Sequence, residues 1–335
     1  SLPGGCCMLE HGGRLRQAAQ EYGIPLADWL DLSTGINPQG YPVPPLDPAC
    51  WQRLPEDDDG LEAAAAAFYG NPRLLPLPGS QAAIQLLPAF FPPAAVAVLT
   101  PVYEEHLQAW TRAGHKLRRL QGATLQRALA AATPNILVCN PNNPTARRFP
   151  CEALLDTAAQ LRRRGGWLIL DEAFGDAEPD NCVTPFAGSE EAPNLIVLRS
   201  LGKFFGLAGA RVGFVFGDAG KLALLREALG PWPVSGPART VARLALADLE
   251  WQSAARARLL AASSKLTALL SPLGPVESTA LFSTLTLADA DAAERLFAHL
   301  ARRGILVRRF AGEAFLRFGL RSEEHTSELQ SRHNL

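Results

Sequence analysis

Lys203 lies in the stretch Ser200-Leu-Gly-Lys-Phe-Phe-Gly-Leu-Ala-Gly-Ala-Arg211, three residues after a serine and eight before an arginine. A lysine amine that is held neutral attacks a carbonyl carbon and forms a Schiff base. A hydroxyl and a guanidinium beside it hold a phosphate through charge-assisted hydrogen bonds. The apolar run Leu195–Leu198 leads into this glycine-rich loop and Val212–Phe216 leads out. Strand, cationic loop, strand packs poorly, so the pattern points to a site. A solvated basic loop has the same letters, and the other strand ends must decide between them.

Four further stretches carry candidate chemistry. Asp171 ends the run Trp167–Leu170; a carboxylate there either caps a helix or sits against a basic ring nitrogen and keeps it protonated. Asn140-Pro-Asn-Asn-Pro-Thr145 follows the run Ile136–Cys139. Two Asn-Pro steps fix a rigid turn, from which Asn143 can offer its amide. Gly79-Ser80-Gln81 opens an apolar helix, and a glycine at such a start exposes N–H groups to an anion. Tyr103 follows the run Ala94–Leu99 and is either a core tyrosine or a flat group that stacks on a ring. Imine lysine, ring acid, oxygen donor, stacking group and phosphate cradle together are what pyridoxal 5'-phosphate (PLP) requires.

The elements that must position these residues alternate. Helices are expected at 61–69, 80–87, 104–113 and 152–164, and strands at 94–99, 136–139, 167–170 and 195–198. Such alternation predicts an α/β fold, a mostly parallel sheet sandwiched by helices, with ligands bound beyond the carboxyl ends of its strands. After Gly217 the pattern changes to long helices followed by strands near 281–287, 305–309 and 314–319, which predicts a smaller α+β C-terminal domain. The expected organisation is a proline-rich N-terminal arm over 1–45, a large domain over 46–235 and a small domain over 236–320. Residues 321–335 break the apolar pattern abruptly and read like translated sequencing-adapter DNA, so a non-native tail is expected there, with the natural C-terminus missing.

The chain has 335 residues, 47% hydrophobic and 19% charged, with a net charge of −1. That balance gives no electrostatic case for nucleic acid. No apolar run approaches the roughly 20 residues of a membrane helix. Six cysteines without a Cys-x-x-Cys pair suggest reduced thiols and no metal. A cytoplasmic protein is expected, the more so as the start carries no signal-peptide pattern.

Together, Asn143, Asp171, Ser200, Lys203 and Arg211 resemble, in order and spacing, the fold-type-I PLP enzymes of the aminotransferase superfamily, over about residues 10–320. The resemblance implies that Lys203 carries the cofactor, Asp171 pairs with the pyridine nitrogen and Asn143 meets the ring oxygen. It gives Ser80, Gln81, Ser200 and Arg211 to the phosphate and the stacking role to Tyr103. Tyr69, in Phe-Tyr-Gly-Asn-Pro, resembles the tyrosine that reaches a neighbouring subunit's cofactor, which implies a homodimer with shared sites. Arg317, in Phe-Leu-Arg-Phe-Gly, matches the arginine that grips the substrate carboxylate.

Two branches compete, the histidinol-phosphate aminotransferases and the threonine-phosphate decarboxylases of cobalamin biosynthesis. His11-Gly-Gly13, Asp31-Leu-Ser-Thr-Gly-Ile-Asn-Pro38, Tyr41-Pro-Val-Pro44 and Asp-Glu-Ala-Phe174 resemble the second. Both act on small phosphorylated substrates, for which His11, Arg14, Asn37 and Arg147 are candidate contacts. The branches differ in which bond to the α-carbon stands across the ring, which residue types alone leave open. The family turn usually ends Pro-Thr-Gly, whereas Ala146 follows Thr145 here. A third reading, a PLP-binding protein without turnover, is opposed by the presence of Lys203.

Overall fold

The computed structural model describes residues 12–321; His11, Cys6, Cys7 and the tail from Ser322 lie outside the described residues. Thirteen strands occur among these residues: β1 (Leu30–Asp31), β2 (Leu74–Leu77), β3 (Ala95–Thr100), β4 (Lys116–Gln121), β5 (Asn135–Cys139), β6 (Trp167–Asp171), β7 (Leu195–Ser200), β8 (Gly213–Phe216), β9 (Val276–Ser278), β10 (Phe282–Thr286), β11 (Ile305–Leu306), β12 (Arg308–Arg309) and β13 (Phe315–Gly319). The large sheet has the order β2-β8-β7-β6-β5-β3-β4. All its neighbours are parallel except those of β8, which runs against both β7 and β2. Its central strands are apolar and buried along almost their whole length, as a parallel sheet covered on both faces demands.

The helices are α1 (Leu15–Tyr22), α2 (Ala49–Gln52), α3 (Leu61–Tyr69), α4 (Ser80–Leu86), α5 (Glu104–Arg112), α6 (Leu125–Ala130), α7 (Cys151–Arg163), α8 (Ala219–Leu229), α9 (Gly236–Ala247), α10 (Leu249–Leu270) and α11 (Ala290–Ala301). Side chains alternate across β3, so Val96 and Val98 join Ile84, Leu107 and Leu225 of α4, α5 and α8 on one face. Ala97 and Leu99 join Leu61, Leu154 and Val241 of α3, α7 and α9 on the other. The smaller domain is an antiparallel sheet, β12-β13-β10-β9, with α10 and α11 among its contacts. β1 pairs in parallel with β11, so the N-terminal segment is stitched to the C-terminal part of the chain.

Several elements depart from the sequence expectation, β2, β4 and α6 among them. β2 contains Pro76, yet it is an edge strand, and an edge tolerates a residue without an N–H. β4 reads Lys-Leu-Arg-Arg-Leu-Gln and holds the other edge, where exposed charges discourage further pairing. α6 is only six residues long, too short for a periodic signal, and is started by Thr124, whose side chain accepts from the Arg127 N–H.

Period two puts Asp171 and Glu172, and likewise Arg199 and Ser200, on opposite faces of the sheet. Behind the site, Arg199 is only 2% exposed and ion-pairs with Glu172 at 3.4 Å and with Asp176. It also donates to Thr184 Oγ1 at 3.0 Å. Burial pushes both carboxyls up, against the pull of the arginine. This cluster ties the ends of β6 and β7 together, the two strands that deliver Asp171 and Ser200. Arg199→Ala would leave two carboxylates buried without their cation, a loss of about 3–5 kcal/mol of stability. Urea unfolding should show it, and an unchanged midpoint would contradict the assignment.

Candidate active site

The turn after β5 is braced by its own amides. Asn140 Oδ1 accepts from the Phe149 N–H at 2.8 Å. Asn142 Nδ2 donates to Pro101 O at 2.8 Å and to Thr145 Oγ1 at 2.7 Å. Ala146 adopts a left-handed backbone, φ 64°, and its N–H returns to Asn142 O at 2.8 Å. The alanine thus takes the conformation that a glycine takes more cheaply. Asn143 remains for the site and accepts a hydrogen bond from Arg317 Nη1.

At the end of β6, Asp171 is 7% exposed and bonded through Oδ2 to His106 Nε2 at 2.7 Å. Burial alone would raise this carboxyl, but the hydrogen bond and charge of His106, with the Ala173 N–H, outweigh it and hold the group below its ordinary value. Lys203 adds to that pull. A permanently ionised acid in a dry setting suits a protonated ring nitrogen. His106 is the residue that sequence reading missed. Its one signal is position, three residues after Tyr103 at the start of α5, the same side of the helix. His106→Ala should weaken cofactor binding and turnover by about 10–100-fold, the worth of a hydrogen bond to a charged group. Fluorescence titration with PLP checks this, and unchanged affinity would contradict it.

Gly79, Ser80, Ser200 and Arg211 converge where β2, β8 and β7 meet. Gly213 lies opposite both Leu77 and Ser200 in the register, and a Cβ on Gly213 would collide with the Ser80 N–H nitrogen. Gly79, at φ 83°, holds a backbone conformation that side chains rarely adopt, and a Cβ there would meet Arg211 Nη2 at 2.8 Å. Arg211 itself is left-handed, φ 55°, and among the described residues no carboxylate lies within 4.0 Å of its guanidinium. The Gln81 side chain is occupied: it donates to Glu105 at 3.0 Å and stands 3.5 Å from Tyr103 Oη. Tyr103, at the N-cap of α5, is T-shaped to His106 at 6.0 Å. Burial, with Glu105 and Asp171, pushes its phenol up to about 12, so it stays protonated.

Lys203 is pulled down to about 8, by burial first and then by Arg317 and Arg211. Its Nζ lies 5.3 Å from the centre of the Phe174 ring. Arg317 on β13 is 6% exposed and donates to Ser33 O at 2.8 Å. Burial and neighbouring Arg308 pull it down to about 9, and its Nε has no hydrogen-bond partner. A buried cation in this state regains its basicity only when an anion joins it. Arg308 is its cross-strand partner and acts on Tyr103 as well; sequence reading passed over it because it sits among several arginines.

These features fit PLP on three counts: a lysine whose basicity burial has lowered, an acid held in its charged form and a cradle of Ser80, Ser200 and Arg211 around glycines that let the backbone approach closely.

Two of the candidate side chains are engaged within this chain. Tyr69 is 5% exposed, packed on Phe214 and Phe216 and under the Arg199 guanidinium at 4.7 Å. Asn37 Nδ2 donates to Phe204 O at 2.8 Å and its N–H to Lys203 O at 2.9 Å, which fixes it beside the lysine loop. Arg14 stays near the site, lining a cleft of about 90 Å³ with Ser33 and Arg308, whereas His11 lies outside the described residues.

The comparisons agree with this geometry. The profile of the family described as aminotransferase class I and II matches residues 54–332. A threonine-phosphate decarboxylase of Pseudomonas aeruginosa is 53% identical over 95% of this chain and 94% of its own length. One of a Sinorhizobium species is 45% identical over 70% of this chain and 71% of its own. The crystal structure of a histidinol-phosphate aminotransferase from Sinorhizobium meliloti, in complex with pyridoxal-5'-phosphate, superposes with a TM-score of 0.82 at 19% identity, covering 98% and 97% of the two chains; that likeness concerns the fold. The chain belongs to the aminotransferase class I and II family.

Proposed function

We propose that this chain is a PLP-dependent decarboxylase of L-threonine O-3-phosphate, releasing carbon dioxide and (R)-1-aminopropan-2-yl phosphate for the aminopropanol arm of cobalamin. The observation that carries it is Arg317, buried, below its ordinary basicity and lacking an anion, with Arg308 across the strand pair. Buried Arg317 suits the carboxylate of a substrate that also brings a phosphate. Holding both fixes the substrate's rotation about its α-carbon, and thereby which bond lies across the ring. The 53% identity to a protein named for this reaction supports the decarboxylase over the aminotransferase.

Lys203, Asp171, Asn143, Ser80, Ser200 and Arg211 would hold PLP. The bound ring supplies a sink for the electron pair left when the carbon–carboxylate bond breaks. The residues do the rest. Lys203 Nζ, desolvated, would hold the group through its amine and would be placed to return a proton to the substrate's α-carbon. Asp171, held ionised by His106, keeps the opposing nitrogen charged. Asn143, anchored by Arg317, presents its amide to the ring oxygen, so substrate grip and cofactor grip share one hydrogen bond. Phe174, packed T-shaped on Phe282 at 5.0 Å, closes the site with hydrocarbon. The test is carbon dioxide release from L-threonine O-3-phosphate by the PLP-loaded protein; no release would overturn the reading.

A homodimer belongs to the same proposal. Trp51 and Trp232 are 71% and 57% exposed, and Leu54 is exposed beside Trp51. The two segments adjoin, since a Cβ on Gly236 would strike Cys50 O. Exposed tryptophans on adjoining segments are costly in water and suit a second copy. Light scattering should give the mass of two chains, and a mass of one chain at micromolar concentration would contradict it. No helix among the described residues is long and apolar enough to cross a membrane, and a cytoplasmic setting is proposed.

A further inference from the structure

A cavity of about 240 Å³ lies between the two domains, and none of Lys203, Asn143, Arg317 or Tyr103 lines it. A single water needs only about 10–15 Å³ of such space, so the cavity has room for several waters or a small ligand. Thr100, Asn142 and Arg147 wall it from the large domain, and Glu277, Thr284 and Thr286 from the small one. Arg147 is held in place: Nη1 donates to Ala123 O at 2.7 Å, and the guanidinium lies 4.6 Å over the Phe149 ring. Among the described residues it has no carboxylate within 4.0 Å, and Glu277 has no cation within that distance. Arg148, whose charge Glu277 shares, is already engaged by Glu178, at 2.7 Å through Nε. One pocket therefore offers a pinned cation and an anion, on different domains and not paired with each other.

We propose that this pocket is a second binding site, for a small molecule that carries both an oxyanion and an ammonium, such as an amino phosphate or an amino acid. Arg147 takes the oxyanion, Glu277 the ammonium, and the threonine hydroxyls the remaining polar atoms. Such a ligand bridges the domains. Thr284, on its wall, donates to Pro144 O at 2.5 Å and lies opposite Arg317 in the sheet. Occupancy therefore couples to the turn that carries Asn143 and to the strand that carries Arg317, and by linkage substrate binding changes the affinity of the pocket in return.

The site is tested by calorimetric titration of the PLP-loaded full chain with O-phosphoethanolamine and, separately, β-alanine. The expected result is a saturable site whose affinity falls about tenfold or more in Glu277→Gln and in Arg147→Gln, and is largely kept in Arg147→Lys. Response to both probes supports a general oxyanion site, and response to O-phosphoethanolamine alone supports a phosphate site. Affinities unchanged by Glu277→Gln and by Arg147→Gln, or no binding of either probe, overturn the proposal. Glu277 is exposed, so its variant keeps the test decisive even if the Arg147 variants fold poorly. The readout is independent of turnover and so separates this proposal from the decarboxylase reading.

Discussion

Lys203→Ala is expected to abolish turnover, a loss of about 10³-fold or more in kcat, with the fold intact. The lysine contributes nothing to the core that alanine cannot replace at modest cost. Its contribution is chemical: an amine that is buried, flanked by Arg317 and Arg211, and therefore pulled down to about 8. At physiological pH a substantial fraction is neutral and nucleophilic, where an ordinary lysine is almost wholly protonated. The sign follows directly. Below pH 8 the amine is protonated, and the rate of PLP capture by the cofactor-free protein should rise about tenfold per pH unit, then level off above it. Stopped-flow absorbance measures that rate. A profile still rising steeply toward pH 10 would mean that the lysine is not desolvated, and a variant that keeps its activity would remove it from the mechanism.

Arg317→Ala carries the second large effect. The side chain holds Asn143 and Ser33 O and has an unpaired Nε. Its loss leaves a substrate anion without its cation in a dry site, which costs about 2–5 kcal/mol, or roughly 30- to 4000-fold in kcat/KM. Arg317→Lys should rescue little, because one ammonium cannot reproduce the fork that reaches Asn143, Ser33 and an oxyanion at once. Steady-state kinetics decide this, and a lysine variant near the parent's kcat/KM would contradict it.

Much of the site was legible because its residues interrupt buried strands at their carboxyl ends. Polar, glycine- and proline-rich letters after β5, β6 and β7 have no packing reason to be there. What could not be read was orientation. Tyr69 and Asn37 have types that suit a site, but Tyr69 ends α3 on its buried face and Asn37 spends its amide on the backbone beside Lys203. His106 is one histidine on an ordinary amphipathic helix, and only the sheet brings it to Asp171. Arg308 gains meaning only from its register with Arg317. In the fold, β2 and β4 escaped notice because edges obey weaker rules: a proline in one and charges in the other contradict the apolar pattern of a central strand.

The most direct measurement is the partition of products from L-threonine O-3-phosphate in a single reaction of the PLP-loaded protein with glutamate and imidazole acetol phosphate also present. The account predicts carbon dioxide and an amino-propyl phosphate in equal amounts, with amino transfer from glutamate negligible. Amino transfer to the phosphorylated ketone without carbon dioxide would contradict it and hand the chain to the aminotransferase reaction.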